Sequence, residues 1–478
     1  MNLSALPDLP HIDSINLTYD AVHGYIPFTS NEGLQPGETS ERMLIDHPWV
    51  QRLRQIHQLQ TAWWVFPTAE HTRFQHVLGV MHLASKAVET LYESLREALP
   101  DENVPSRGYV EALMRISALL HDVGHGPFGH FFDQHFLANY DLNHEKLGGI
   151  IIQQELGDMI RGIRRTVRHS LATDETLSPE QVAFLIKRPA RDEQQNSTQP
   201  RWLKFLRSLF CGIYTVDNMD FVLRDAFMSG YSQKSIDVER LLHYTRFTPA
   251  GLTIHDKGFS SLVRFIMVRA ELFQTIYFHR TVRAIDLELE DLFRKSKDFL
   301  FPGNPVDNLQ EYLYFTEWSL LMQVSQWRKS QDAHLRELSE AWNRVLTRHL
   351  RWRQVAQCTL QFSSSQPEGA SIFARPETFE LALRNLLPPA IKDIPLRFDV
   401  ARHVFRPGSV APAARQNFLY DSSTETIKEL ETEDLFRNIP QTFRICRVYA
   451  ENDVYQREIG RAMDILCSRQ GADDVTNV

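Results

Sequence analysis

From Phe74 to Leu95, apolar residues recur at Phe74, Val77, Leu78, Met81, Ala84, Val88, Leu91 and Leu95. That three-to-four spacing puts them on one stripe of a helix that must be covered by other elements. A second stretch, Val110 to Leu120, repeats the pattern through Leu113, Ile116, Leu119 and Leu120. It then meets His121-Asp122-Val123-Gly124-His125-Gly126-Pro127, where two glycines and a proline stop it and leave polar side chains at a helix end. Helical spacing also runs through Gln181–Lys187, Trp202–Phe227, Phe259–Lys295, Tyr312–Val324 and His334–Arg353. Strand-like alternation is scarce, with its clearest instance at Phe443–Tyr449, followed by a helical stretch from Tyr455 to Leu466. The expectation is a mainly α chain with a smaller α+β lobe in its C-terminal third.

Composition excludes several function classes. The 478 residues carry a net charge of −8, which rules out a basic protein that coats nucleic acid. A hydrophobic share of 43% and 29 Phe fill a sizeable core and rule out wholesale disorder. Cys211, Cys358, Cys446 and Cys467 lie far apart with no CxxC pair, so they read as reduced, packed thiols. Met1–Pro10 lacks a basic stretch followed by an apolar one, and no window approaches the ~18 apolar residues of a membrane span; a soluble cytoplasmic protein without membrane partners is expected. Segments 188–200, 363–370 and 406–424 and the last ten or so residues read as solvated connectors and a frayed tail.

Four dispersed side chains form a candidate metal group: His76, the dyad His121-Asp122, and Asp217. Two imidazole nitrogens and two carboxylates suit Mn²⁺, Fe²⁺, Zn²⁺ or Mg²⁺, and ligand type does not choose among them. Neighbours on a helix point about 100° apart, so His121 and Asp122 reach one ion only where the helix ends, as Gly124 and Gly126 allow. Taken singly, each of these residues reads as a cap or a satisfied core group. The order H…HD…D in a helical chain resembles the HD-domain phosphohydrolases.

The resemblance tightens over longer segments: Asp20-Ala21-Val22-His23-Gly24, Ile45 to Leu59, Val65-Phe66-Pro67, His71-x-Arg73-Phe74-x-His76, and His121-Asp122-x-Gly124-His125-Gly126-Pro127-Phe128-x-His130. It continues through His144-Glu145, Val216-Asp217-x-x-Asp220-Phe221-x-x-Arg224-Asp225, Arg269 and Tyr277, and faintly to Arg444–Tyr449. These segments are similar to the deoxynucleoside triphosphate triphosphohydrolases of the SAM-and-HD-domain type. The resemblance implies an HD-domain helical core over residues 1–300, an appended C-terminal lobe over 301–478, and cleavage of a dNTP to deoxynucleoside and inorganic triphosphate, controlling the dNTP pool. It also implies a homo-oligomer, tetramer ahead of dimer.

Residue by residue, the resemblance implies a divalent cation on His76, His121, Asp122 and Asp217. It implies proton transfer by His125 and His144, with Asp133 and Glu145 orienting or charge-tuning them, since an imidazole is suited to acid catalysis near neutrality. His130 and the arginines Arg73 and Arg269 correspond to phosphate contacts. Gln58 and Leu59 correspond to positions along the sugar and base, with further substrate contacts at Asn218, Phe221, Asp225 and Tyr277. A nucleotide activator is implied at Asp46, Gln51 and Arg54.

The chain departs from that pattern at several points. Asn218 and Phe221 stand where the family has a lysine and a tyrosine, Gln60-Thr61 replaces a glycine pair, and the N-terminal lysine expected near Asn16 is absent. Two readings therefore stand beside the first: an HD phosphohydrolase acting on another nucleotide or on single-stranded nucleic acid, and a nucleotide-sensing scaffold without turnover. The arginine-rich stretches Arg161–Arg168 and Arg348–Arg353 read first as solvated helix faces, with nucleic acid as a second choice.

Overall fold

The computed structural model describes residues 12–189, 198–363, 368–406 and 417–471. The N-terminal decapeptide, parts of the three connector segments and the C-terminal tail lie outside them. Among the described residues, no helix is long and apolar enough to cross a membrane.

The molecule is mainly α. The Arg73–Ala98 and Arg107–Leu120 helices occupy the positions expected from their apolar stripes. They pack against each other, burying Val77, Met81, Ala84 and Val88 on the first and Leu113, Ile116 and Leu120 on the second. Each starts at a capping residue: Gln75 accepts the Thr72 backbone N–H at 2.6 Å, and Ser106 accepts from Tyr109 N. Around this pair the helices Val216–Met228, Asp256–Leu272, Arg280–Leu300, Glu317–Gln326 and Ala333–Leu346 build one large core, reaching from Ile26 past residue 300 through Trp342 and Val345 to Phe443 and Ile445.

Several long helical stretches are broken. Trp202–Phe227 divides into Arg201–Arg207 and Val216–Met228, because Thr215 turns out of the helix and caps the second piece through Asn218 N. Phe259–Lys295 passes through a π-helical turn at Phe273–Tyr277 and restarts at Arg280 under the His279 cap. Tyr312–Val324 breaks at the Thr316 cap, and the stretch from His334 ends as a helix at Leu346. Apolar spacing persists across each break, so periodicity alone does not show it.

Strands are more numerous than alternation suggests. An N-terminal hairpin pairs β1 (Ile15–Asp20) with β2 (Gly24–Thr29). β3 (Thr245–Thr248) and β4 (Gly251–His255) extend through a parallel pairing to β7 (Asn417–Asp421) and then β8 (Thr426–Glu429). The C-terminal sheet has β9 (Thr442–Ala450) between β5 (Arg353–Phe362) and β6 (Leu396–Val404), both antiparallel to it. β9 is buried along its whole length, and the Pro376–Arg384 and Gln456–Gly471 helices help enclose a second, smaller core beside this sheet. The arginines that give β9 its alternation are tied inward, Arg444 to Glu368 and Arg447 to the Phe278 carbonyl at 2.6 Å. All four cysteines are free thiols, with Cys358 and Cys446 opposite each other on β5 and β9.

Candidate active site

His76 lies in the first turn of the Arg73–Ala98 helix, one turn after Arg73, and the Thr72 cap fixes where that turn begins. The Arg107–Leu120 helix ends at Leu120, so His121 and Asp122 leave it together, as the dyad requires. Asp217 enters from the first turn of the Val216–Met228 helix. His76 Nε2 is 3.1 Å from Asp217 Oδ1 and 4.0 Å from Asp122 Oδ2. His121 Nε2 is 3.8 Å from Asp217 Oδ1 and 3.3 Å from Asp122 Oδ1.

Both imidazoles are set up as ligands. His76 Nδ1 donates to the Asp220 carboxylate at 2.8 Å, and His121 Nδ1 donates to the Ala118 carbonyl at 2.8 Å. With Nδ1–H committed, the Nε2 atom of each ring faces the two aspartates, and His121 Nε2 is buried without a hydrogen-bond partner. Burial opposes charge on His76, but hydrogen bonds and fields from Asp217 and Asp220 outweigh it and raise its pKa to about 10. Asp122 is held well below the usual carboxylate range against its burial, chiefly by Arg73, whose Nη1 lies 2.5 Å from Oδ2. The group thus demands positive charge at its centre, and His76, His121 and Asp217 are arranged so that they could hold a metal ion.

A second cluster adjoins it. Asp133 accepts both the His144 backbone N–H at 3.2 Å and its Nδ1–H at 2.5 Å, which aims the ring and leaves Nε2 free. His130 Nδ1 is 3.3 Å from the same carboxylate and its side chain is 63% exposed. His125 stacks on His144, is fully buried, and is kept neutral by burial and by the neighbouring Arg73 charge. Glu145, expected to orient the histidines, instead binds Arg188 through its backbone N–H at 2.9 Å and its Nε at 3.1 Å.

A cavity of about 710 Å³ opens over these groups. His76, His121, Asp122 and Asp217 face it together with Arg73, His130, His144 and Glu145, whereas His125 and Asp133 lie behind the wall. Gln58 and Leu59 line it, and Gln58 Oε1 is buried and unpaired. Asn218 and Phe221 line it too, as does Asp225, which accepts His71 Nε2–H at 2.7 Å and the Tyr277 hydroxyl. Burial and the Asp225 charge push the Tyr277 phenol well above its usual range, so it stays a donor. Arg269 lines the wall with Nη1 on the Ile213 carbonyl at 2.9 Å and Nη2 on the Phe405 carbonyl at 3.0 Å; burial lowers its pKa to about 10. The phosphate contact expected of Arg269 is therefore left to its buried, unpartnered Nε and to the second N–H of each Nη.

Asp46, Gln51 and Arg54 lie outside the cavity as a separate cluster. Arg54 Nε donates to Gln51 Oε1 at 2.8 Å and its guanidinium covers the Phe74 ring, while exposed Asp46 pairs with Arg42. The arginine-rich stretches lie largely off the helices rather than on helix faces, because residues 162–168 and 348–353 form turns, bridges and the start of β5. At the surface Arg164 binds the Ala172 carbonyl, Arg168 pairs with Glu89, and Arg348 binds the Trp64 carbonyl. Residues without an assigned sequence role also matter here. Asp220 holds His76 and stands in the resembling segment after Asp217 without an assigned role, while His403 and Arg406 reach the cavity from the C-terminal lobe with no local signal.

Residues 73–197 match the HD domain family, and the matched segment carries His76, the His121-Asp122 dyad and the His125–His144 cluster. The chain thus contains a segment of the HD domain family. Within that class it is similar to the deoxynucleoside triphosphate triphosphohydrolase SAMHD1 of Homo sapiens, at 30% identity over 306 residues, covering 61% of this chain and 46% of the human protein. An uncharacterized protein of Bacillus subtilis, YwfO, is 28% identical over 328 residues, covering 65% of this chain and 68% of that one. The chain thus spans about half the length of human SAMHD1. A solved structure of a hypothetical protein from Aquifex aeolicus shares the fold, with a TM-score of 0.66 at 20% identity over 94% of this chain and 100% of that one.

Proposed function

We propose that this protein hydrolyses deoxynucleoside triphosphates to a deoxynucleoside and inorganic triphosphate. The observation that carries the reading is the pair of anchored imidazoles, His76 and His121, turning Nε2 toward Asp122 and Asp217 at the wall of a cavity large enough for a nucleotide. A divalent cation held by those four residues would neutralise phosphate charge and make water a better nucleophile.

The chain's own groups account for the remaining needs. Arg73 brings its guanidinium to Asp122 at the cavity wall, where it can bind a phosphate oxygen while it keeps that carboxylate ionised. His144, with Nδ1–H held by Asp133, delivers a proton from Nε2 to the departing 5′ oxygen. His125 backs that ring from the protein interior and fixes its plane. Gln58, Asp225 and Tyr277 offer polar contacts for the sugar, and Leu59 offers the apolar wall against which a 2′-hydroxyl would be buried unpaired, costing ~1–3 kcal/mol.

A second reading, another phosphate ester as substrate, is favoured by one group of observations. Asn218 and Phe221 bring neither cation nor hydroxyl, and one N–H on each Nη of Arg269 is already taken by a backbone carbonyl. Incubation of the purified chain with Mn²⁺ and each of four dNTPs and four rNTPs, with and without guanine nucleotide, separates the readings. Inorganic triphosphate from dNTPs supports the first; phosphate or pyrophosphate supports the second; the absence of any turnover supports a nucleotide-binding scaffold. Activation by guanine nucleotide would assign the cluster at Asp46, Gln51 and Arg54, and sedimentation in the same buffers would test assembly as a tetramer or dimer.

A further inference from the structure

We infer that Asp220 is the positioning residue for His76 and that the N-terminal β-hairpin, through His23 and Asp20, holds Asp220 in place. This rests on reading the His76 group as a metal site, and extends that site to a part of the chain distant in sequence. Asp220 is fully buried and carries four donors. Oδ2 accepts from His76 Nδ1 at 2.8 Å and from Arg224 Nε at 2.8 Å; Oδ1 accepts from His23 Nε2 at 2.6 Å and from Arg224 Nη2 at 2.9 Å. A carboxylate with both oxygens filled by these four donors cannot turn, so the imidazole it grips cannot turn either.

The hairpin completes the chain of contacts. Arg224 Nη1 binds Asp20 Oδ2 at 2.7 Å, and Asp20 Oδ1 accepts the backbone N–H groups of Val22 and His23, each at 2.9 Å. Asp20 therefore shapes the turn that presents His23 and at the same time fixes the arginine that fixes Asp220. A separate observation points to the same construction. Gly79 lies one helical turn after His76, and a Cβ there would stand 1.9 Å from Asp220 Oδ1 and 2.4 Å from Arg224 Nη2. The missing side chain is what lets the carboxylate and the guanidinium reach the helix that carries the ligand.

The test is Co²⁺ binding to the full chain, read by titration calorimetry and by the visible absorption of the bound ion, which reports ligand geometry. Loss of a carboxylate behind a ligating imidazole weakens metal binding about 10–100-fold, and Asp220→Asn is expected in that range with an altered Co²⁺ spectrum. His23→Ala, on the hairpin turn, carries the test if Asp220→Asn does not fold, and His23→Gln, which keeps a donor, is expected to recover most of the loss. Gly79→Ala favours the helix by propensity and is nevertheless expected to weaken Co²⁺ binding. Wild-type affinity and spectrum in folded His23→Ala and Gly79→Ala would overturn the inference, as would a wild-type chain that takes up no Co²⁺. A chain that binds Co²⁺ with these dependences but leaves dNTPs intact refutes the proposed reaction and leaves the inference standing.

Discussion

The imidazoles of His125 and His144 lie face to face, centroids 3.8 Å apart and planes 12° from parallel, yet only His144 reaches the cavity. The two rings therefore have different expected roles. His144→Phe removes the proposed proton donor and should lower turnover by about 10²–10⁴-fold, with Co²⁺ binding retained. His125→Phe keeps a ring against His144 and should lose less. Steady-state rates for the two variants decide the matter, and equal losses would place the donor elsewhere.

Gly129 should be intolerant of a side chain. Its φ of +55° lies in the left-handed region, and a Cβ would stand 2.4 Å from Arg73 Nη2. Gly129→Ala should destabilise the chain by about 1–3 kcal/mol and push Arg73 off Asp122. A lower melting temperature together with a raised KM for nucleotide is the expected result; an unchanged KM would remove Arg73 from the substrate contacts.

Glu41 and Arg115 form a buried ion pair, with Arg115 fully buried and its Nη2 2.8 Å from Glu41 Oε2. Burial opposes the Arg115 charge, but Glu41 outweighs it and raises the pKa. Glu41 Oε2 also accepts Thr29 N at 2.9 Å, so the pair joins β2 to the Arg107–Leu120 helix. Removing one partner strands the other charge, so Glu41→Gln should cost about 3–5 kcal/mol, while Glu41→Leu with Arg115→Met should cost much less. Denaturant midpoints of the single and double variants measure the difference.

The His57–Glu317 pair gives stability a pH dependence. His57 Nδ1 is 2.5 Å from Glu317 Oε2, and although burial lowers the His57 pKa, Glu317 and then Glu70 raise it above its usual 6.5. A raised folded-state pKa means that this contribution is fully present below the unfolded value of about 6.5 and fades as pH rises through the folded one. The melting temperature lost on His57→Gln should therefore be larger at about pH 6 than at about pH 9. A loss independent of pH would show that packing on Trp63, 4.2 Å away, carries the effect.

The candidate metal group was legible as a pattern because its chemistry is local in type. His76 follows a helix start, the dyad coincides with a helix stop, and the Asp217 carboxylate begins a third helix, so residue identity and helix punctuation together mark all four. What holds them was not legible. Asp220 and Arg224 could be seen to share a helix face, but nothing local shows that His23 meets them across 197 residues or that Glu317 gathers the backbone N–H groups of His57 and Phe128. The remote strand pairings were missed for a related reason: β4 gains β7, and β5 and β6 gain β9, from segments far along the chain.

By itself the sequence determined that this chain is mainly helical, which side chains are candidates for coordinating and acid–base chemistry, and that the helix before His121 stops there. Those properties follow from periodicity and residue type, which act over a few residues. Only the tertiary structure decided that His144 rather than His125 faces the cavity, that Glu145 binds Arg188, and that the hairpin reaches Asp220 through His23. Those outcomes depend on which buried charge finds its partner when distant helices pack, a choice made by whole-molecule desolvation and hydrogen-bond geometry.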